Sequence, residues 1–313
     1  MIKPFLSFKL NFNFDFFSLK SFAVIFSGIL IILSIFITIK RDLNFGIDFI
    51  GGIMIDAKFS YIPDINDLRL KLGQINIGNF EIQEFGSPEN ILIKLEKQKG
   101  EEDKQLEAIK KVKEILPSDV DYRRIEFVGP KVGDELKAMG IKAVVFSLFA
   151  MFIYIWFRFS GWEFGIGALV ALIHDVLTTI GFFAISQIEF NLSSIAAILT
   201  IAGYSVNDTV VVFDRVRENL RKSKSIDQLS IINKSLNETL GRTITTSLTT
   251  LLALFAIYFF GGEVISDFTL AMIWGVMIGT YSSIFVASAF LSFFNLRRTD
   301  TEEKEDLNYF NND

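Results

Sequence analysis

Asp208 is the residue whose position demands the most explanation. It lies in the run Ile201-Ala-Gly-Tyr-Ser-Val-Asn-Asp-Thr-Val-Val-Val-Phe213, inside an apolar stretch from Leu192 to Phe213 that is long enough to cross a bilayer. A carboxylate within a membrane helix costs roughly 2.5–3.5 kcal/mol on insertion scales. Such a cost is retained for ion movement, substrate contact or a buried ion pair. Asn207 is its neighbour, Ser205 and Tyr204 lie one turn back, and Ala202 and Gly203 permit close approach of another helix. Arg242 opens a later apolar run and is followed by Thr243, Thr245, Thr246, Ser247, Thr249 and Thr250. That hydroxyl-rich helix is expected to be buried in a bundle or to line a wet path, with Arg242 as the partner of Asp208. The pair is then either a fixed clamp between helices or a carboxylate that exchanges a proton as Arg242 approaches and withdraws. His174-Asp175 stands at the middle of another apolar run and holds the only histidine. Its two side chains either satisfy one another or belong to a proton path.

The elements that carry these residues follow from hydropathy. Half of the 313 residues are hydrophobic and the mean hydropathy is +0.41. Six runs reach spanning length: Ser21–Ile39, Ala138–Phe157, Phe164–Ile185, Leu192–Phe213, Thr243–Phe260 and Phe268–Phe294. The first ends in Thr38-Ile39-Lys40-Arg41 without a small-x-small cleavage site, so it reads as an uncleaved signal anchor preceded by residues 1–20. Gly275, Gly279, Ser283 and Ala287 form a small-residue stripe for packing in the last run. With 34 phenylalanines spread along the chain, no single Phe is read as functional.

Loop charges set the orientation. Arg158, the Asp214–Gly241 segment (Arg215, Arg217, Arg221, Lys222, Lys224, Lys234) and Arg297-Arg298 mark one side. The opposite short loops carry Gln187, Glu189, Glu263 and Asp267. The positive-inside rule therefore predicts both termini in the cytoplasm and the 40–137 segment outside. That segment reads as Ile53–Phe59 (strand), Asp64–Leu72 (helix), Phe80–Phe85 and Ile91–Leu95 (strands around a Gly86–Asn90 turn), a helix stopping at Pro117, and Val120–Val128 (strand). This β-α-β-β-α-β order predicts a ferredoxin-like α+β domain between spans one and two. Asp214, Arg215, Arg217 and Glu218 are expected to form a solvated, internally paired stretch, and the polar, acidic 295–313 tail to be disordered. The whole is a polytopic α-helical membrane protein: one span, an extracytoplasmic domain, and a five-helix bundle over 138–294.

Composition and motifs argue against several function classes. No cysteine and one histidine leave no metal site. A net charge of −5 argues against nucleic acid as a partner. No G-x-S-x-G, Walker loop or H-E-x-x-H is present, so no ATPase or other enzyme and no cofactor is implied. Work must come from a transmembrane gradient, in which one charge crossing 100 mV supplies about 2.3 kcal/mol.

Four motifs carry a resemblance: Phe45-Gly-Ile-Asp-Phe-Ile-Gly-Gly52, Val128-Gly-Pro-Lys-Val-Gly-Asp-Glu-Leu136, His174-Asp-Val176 and the stretch from Gly203 to Asn219. In order and spacing, from about Leu43 to Phe294, they resemble the SecD/SecF family of protein-export membrane subunits, on its SecF side. The arrangement is also similar to half of a resistance–nodulation–division transporter. The resemblance implies a subunit of the bacterial inner membrane that pairs with SecD and attaches to the SecYEG channel, often with YajC. There the pair uses the proton-motive force, or sodium in some relatives, to draw polypeptide outward after SecA has driven it in. It places the coupling Asp and Arg on Asp208 (in Gly-Tyr-Ser-Val-Asn-Asp) and Arg242 (in Gly-Arg-Thr), with Asn207 beside them. Gly46, Asp48, Gly51, Gly52, Gly129, Pro130 and Gly133 become structural motif positions. A small-molecule or lipid efflux transporter of the same superfamily, a sterol-sensing-type receptor bundle and an intramembrane enzyme are the competing readings.

Overall fold

The computed structural model describes residues 13–75, 77–96, 102–223, 226–262 and 265–296. The expectations for residues 1–12 and for most of the acidic tail lie outside these residues. Among the described residues, six helices are long and apolar enough to cross a membrane. They are α1 (Lys20–Arg41), α5 (Pro130–Phe159), α6 (Trp162–Ser186), α7 (Leu192–Lys222), α8 (Gln228–Phe260) and a composite sixth span. The sixth runs from α9 (Ser266–Tyr281) through a π-helical turn (Ser282–Ala287) into α10 (Ser288–Leu291).

Between α1 and α5 lie a short helix α2 (Ile47–Ile50) and a four-stranded sheet. The elements follow as β1 (Gly52–Lys58), α3 (Ile65–Gly73), β2 (Phe80–Phe85), β3 (Ser87–Glu96), α4 (Glu102–Ile115) and β4 (Asp121–Val128). The sheet order is β2-β3-β1-β4 and every pairing is antiparallel. Alternation explains the core. Ile53, Ile55 and Ala57 of β1 and Ile91, Ile93 and Leu95 of β3 point to one face. They are buried with Leu68 and Leu72 of α3 and Ala108 and Val112 of α4. Asp64 caps α3 by accepting from the Asn66 N–H at 2.8 Å. The β2–β3 turn is tighter than its sequence suggests: strand pairing runs up to Phe85 and Ser87 around Gly86, whose φ of +82° favours glycine.

The helices outrun the apolar stretches in three places. α5 begins at Pro130, a first-turn position that needs no N–H, so the second span grows directly out of the domain. α7 continues to Lys222 and α8 starts at Gln228, because Val216 and Leu220 on one helix and Ile231, Ile232 and Leu236 on the other bury a shared apolar face. The expected polar loop at 214–241 is therefore mostly a helical hairpin. Within the 214–218 stretch Arg215 pairs with Glu218 at 2.5 Å, and the stretch is also tied to its neighbours, with Arg158 of α5 to Asp214 at 3.1 Å and Arg215 to Glu238 of α8 at 2.6 Å.

The small-residue stripe of the sixth span packs on α7 in steps of four. Gly275 faces Ile201, Gly279 faces Ser205, and the Ser283 hydroxyl bonds that of Thr209 at 2.9 Å. A Cβ on Gly275 would collide with the Ile201 side chain, so the two backbones approach as only glycine allows.

Candidate functional site

The segment joining α1 to the sheet is clipped to the turn between α6 and α7. Gly46 N–H donates to the Phe190 carbonyl (2.9 Å), Phe190 N–H to the Asn44 carbonyl (2.7 Å), and the Gln187 amide to the Asp42 carbonyl (3.1 Å). Asp48 Oδ2 accepts from the N–H of Leu192, the first residue of α7, at 3.0 Å. Asn191 caps the same helix end by a reciprocal box with Ser194. Four N–H groups at a helix start lack intrahelical partners, and these side chains occupy two of them. Gly51 and Gly52 turn the chain into β1 at φ of +73° and +146°. Gly133 lets α5 pass against α2: a Cβ there would sit 2.8 Å from the Phe49 carbonyl oxygen. Lys94 of β3 pairs with Glu189 of the same turn. Gly46, Asp48, Gly51, Gly52 and Gly133 thus gather at one joint between domain and bundle.

Deeper in the bundle, α7 and α8 run antiparallel, as the pairs Asn219–Ser235 (2.9 Å), Arg215–Glu238 and Tyr204–Thr250 (3.3 Å) show. Asp208 lies as far before the end of α7 at Lys222 as Arg242 lies after the start of α8 at Gln228. Both sit at one height, about 21 Å along the helices from the hairpin turn. Asp208 is 3% exposed and its Oδ2 has no hydrogen-bond partner. Arg242 is exposed on the isolated chain and acts on Asp208 through its charge, with no ion pair between them among the described residues. Arg242 also lines a cleft of about 680 Å³ beneath it with Arg158, Asp214, Arg217 and Glu238. Asn207 faces outward, away from Asp208.

The hydroxyl-rich face of α8 is not buried against the other helices of this chain. Only 17% of its most apolar window is buried. Thr245, Thr246, Thr249 and Thr250 spend their hydroxyls on carbonyls of their own helix one turn back. Thr243 is the exception: it is 1% exposed and its hydroxyl has no partner.

His174 and Asp175 are fully buried. Asp175 Oδ2 accepts from Ser205 Oγ of α7 (2.6 Å) and from Ser282 Oγ, the first residue of the π-helical turn (2.7 Å). Its Oδ1 lies 2.9 Å from His174 Nδ1. His174 Nε2 is unpartnered, and its ring sits beside Tyr281, whose hydroxyl reaches Ala23 and Ser27 of α1. One carboxylate therefore ties α6, α7 and the sixth span together, with α1 at its margin. Sequence reading singled out the His-Asp pair but missed Ser282 and Tyr281. Neither is unusual as a residue type, and the π turn that aims Ser282 leaves no mark in the hydropathy.

Among the described residues, no group of three or more His, Asp or Glu converges as a metal site. In the domain, Asp56 Oδ1 is buried without a partner, and burial raises its carboxyl above the usual range against the opposing charges of Arg123 and Arg124.

Residues 107–297, which contain both Asp208 and Arg242, match the family described as protein export membrane protein SecD/SecF, C-terminal. The chain belongs to the SecD/SecF family. It is 46% identical over 286 residues to the protein translocase subunit SecF of Rickettsia bellii, covering 90% of this chain and 93% of that one. It is likewise 46% identical to the subunit of the same name from Rickettsia rickettsii, covering 91% and 93%. The crystal structure of SecDF from Thermus thermophilus superposes with a TM-score of 0.78 at 33% identity and covers 92% of this chain. The chain spans 39% of that longer SecDF chain. The SecD/SecF family match takes in the polar groups of the bundle, while Asp48 of the joint lies before its first residue.

Proposed function

We propose that this chain is a SecF-type subunit of the Sec protein translocase, acting with a SecD partner in late steps of polypeptide export across the bacterial plasma membrane. The naming of its relatives supports the subunit, and the longer SecDF chain supports the partner. In this reading the SecYEG channel, YajC, SecA, the moving polypeptide and membrane lipids complete the surroundings. The sheet domain, whose strand order agrees with a ferredoxin-like arrangement, lies on the outer side, with both termini in the cytoplasm. The chain carries out no chemistry of its own and draws on an ion gradient.

One observation carries the coupling role: a buried carboxylate, Asp208, with an unpartnered oxygen at the height of Arg242. Bare carboxylates are costly in a membrane, and a carboxylate without a fixed partner is free to take up and release a cation. Uptake of a proton by Asp208 removes its attraction for Arg242 and loosens α8 from α7. Asn207 then belongs to the outward face that meets the partner. His174 and Asp175 form a second polar station one turn away along α7, through Ser205.

The test uses inverted membrane vesicles at limiting ATP. Asp208→Asn is expected to insert and assemble with its partner yet lose gradient-stimulated export. Full stimulation in that variant overturns the coupling role while leaving the family assignment intact.

A further inference from the structure

An apolar groove of about 300 Å³ opens on the domain side of the bundle, beneath the joint and away from Asp208 and Asp175. Its walls come from α5 (Gly140, Ile141, Val144), α6 (Val176, Ile180) and α7 (Ile195, Ile198), and its roof from Phe45 and Phe190 of the clipped joint. The sole charged group on it is Lys137. The Lys137 ammonium lies over the Phe45 ring, 5.0 Å from the centroid, and makes no ion pair among the described residues. Ile141 (67% exposed) and its neighbour Val145 (59% exposed) form the lip, on the flank of a helix that is mostly unburied.

Water does not suit this space. An ordered water needs two to four polar partners, and the walls offer apolar carbon almost throughout. A hydrocarbon chain suits both the volume and the apolar walls. Lys137 stands at the domain-side end of the bundle, over Phe45 of the joint and one turn before Gly140, which meets Ile195 in the first turn of α7. Its stem follows the aromatic roof while its three N–H donors stay available.

We propose that this groove holds one acyl chain of an anionic phospholipid from the leaflet on the domain side, with Lys137 binding the headgroup phosphate. The lipid would pack against Phe45 and Phe190, which belong to the joint between domain and bundle. Lipid composition would then bear directly on that joint.

The experiment is native mass spectrometry of the full-length chain released from nanodiscs of equimolar phosphatidylglycerol and phosphatidylcholine. Wild type is expected to retain one phosphatidylglycerol, preferred over phosphatidylcholine about fivefold, the factor one surface cation supplies. Lys137→Gln should keep a lipid but lose the preference. Ile141→Trp, an exposed position that leaves the core untouched, should block the lip and lower retention of both lipids, with an unchanged thermal midpoint confirming the fold. Equal retention of phosphatidylglycerol by all three proteins overturns the proposal. So does crosslinking of position 141 to the partner subunit, because the groove would then be covered by protein.

Discussion

Ser205 donates a 2.6 Å hydrogen bond to Asp175 from a position one helical turn before Asp208 on the same helix. Asp175 and Asp208, two of the buried carboxylates of the bundle, are therefore joined through a single hydroxyl and three residues of helix. Gly279 packs against the Cβ of Ser205, which fixes the backbone at that point.

Ser205→Ala keeps the Cβ that Gly279 meets and removes only the hydroxyl. Asp175 would be left with fewer donors in a fully buried setting, at a cost of roughly 1–3 kcal/mol. The expected outcome is a lower thermal midpoint of the purified chain, with Ser205→Thr losing less.

Thr243→Val removes a buried hydroxyl that has no partner. Stability should be unchanged or slightly higher, since a lone buried donor costs free energy. If the hydroxyl serves an ion near Asp208, gradient-stimulated export falls at the same time. A variant with unaltered stability and export would show that Thr243 is passive.

Asp48→Ala strips the Leu192 N–H of its acceptor at the start of α7. Loss of such a cap costs about 1 kcal/mol. Asp48→Asn should recover most of it, because an amide oxygen also accepts. Thermal unfolding and amide exchange at 192–195 check the expectation.

Gly275→Val drives a side chain into Ile201 on the tightest helix contact of the sixth span. Overpacking of this kind costs roughly 1–3 kcal/mol. Reduced yield of folded protein in detergent is the readout, and Ile201→Ala in the same chain should restore part of it.

Asp56 offers a pH test in the domain. Burial raises its folded carboxyl above the unfolded value of 3.8, so folding favours the protonated form. Domain stability should fall as pH rises through the window above 3.8, and the loss should persist at neutral pH. Asp56→Asn should therefore raise the midpoint at pH 7 and change it little at pH 3.

Much of this architecture is legible in the sequence because membranes impose simple rules. Runs of apolar residues gave the six spans, and alternation at Ile53, Ile55 and Ala57 marked a strand with one buried face. Asp208 was conspicuous because charge is rare in such runs. The backward extension of α8 to Gln228 was less visible, since Ile231, Ile232, Leu236 and Leu240 show helical spacing among polar residues that hydropathy averages away. The exposure of Arg242 and of Thr245 and Thr249 could not be read at all. A helix of threonines looks the same whether its hydroxyls face water or bond its own carbonyls, and only the packing of α8 on α7 and α9 decides. Ser282 was hidden for a similar reason: a π turn shifts the register of the sixth span by part of a turn, and that shift aims an ordinary serine at Asp175.

The clip between the Asp42–Gly52 segment and the Gln187–Leu192 turn has a mechanical consequence. The sheet domain has little slack on that side, since the backbone bonds and the Lys94–Glu189 pair end on the turn that leads into α7 and the Asp48 contact ends on its first residue. A pull on the domain therefore acts on the same rigid rod that carries Asp208 farther down. Tension at one end of that rod and charge in its middle share a single moving part.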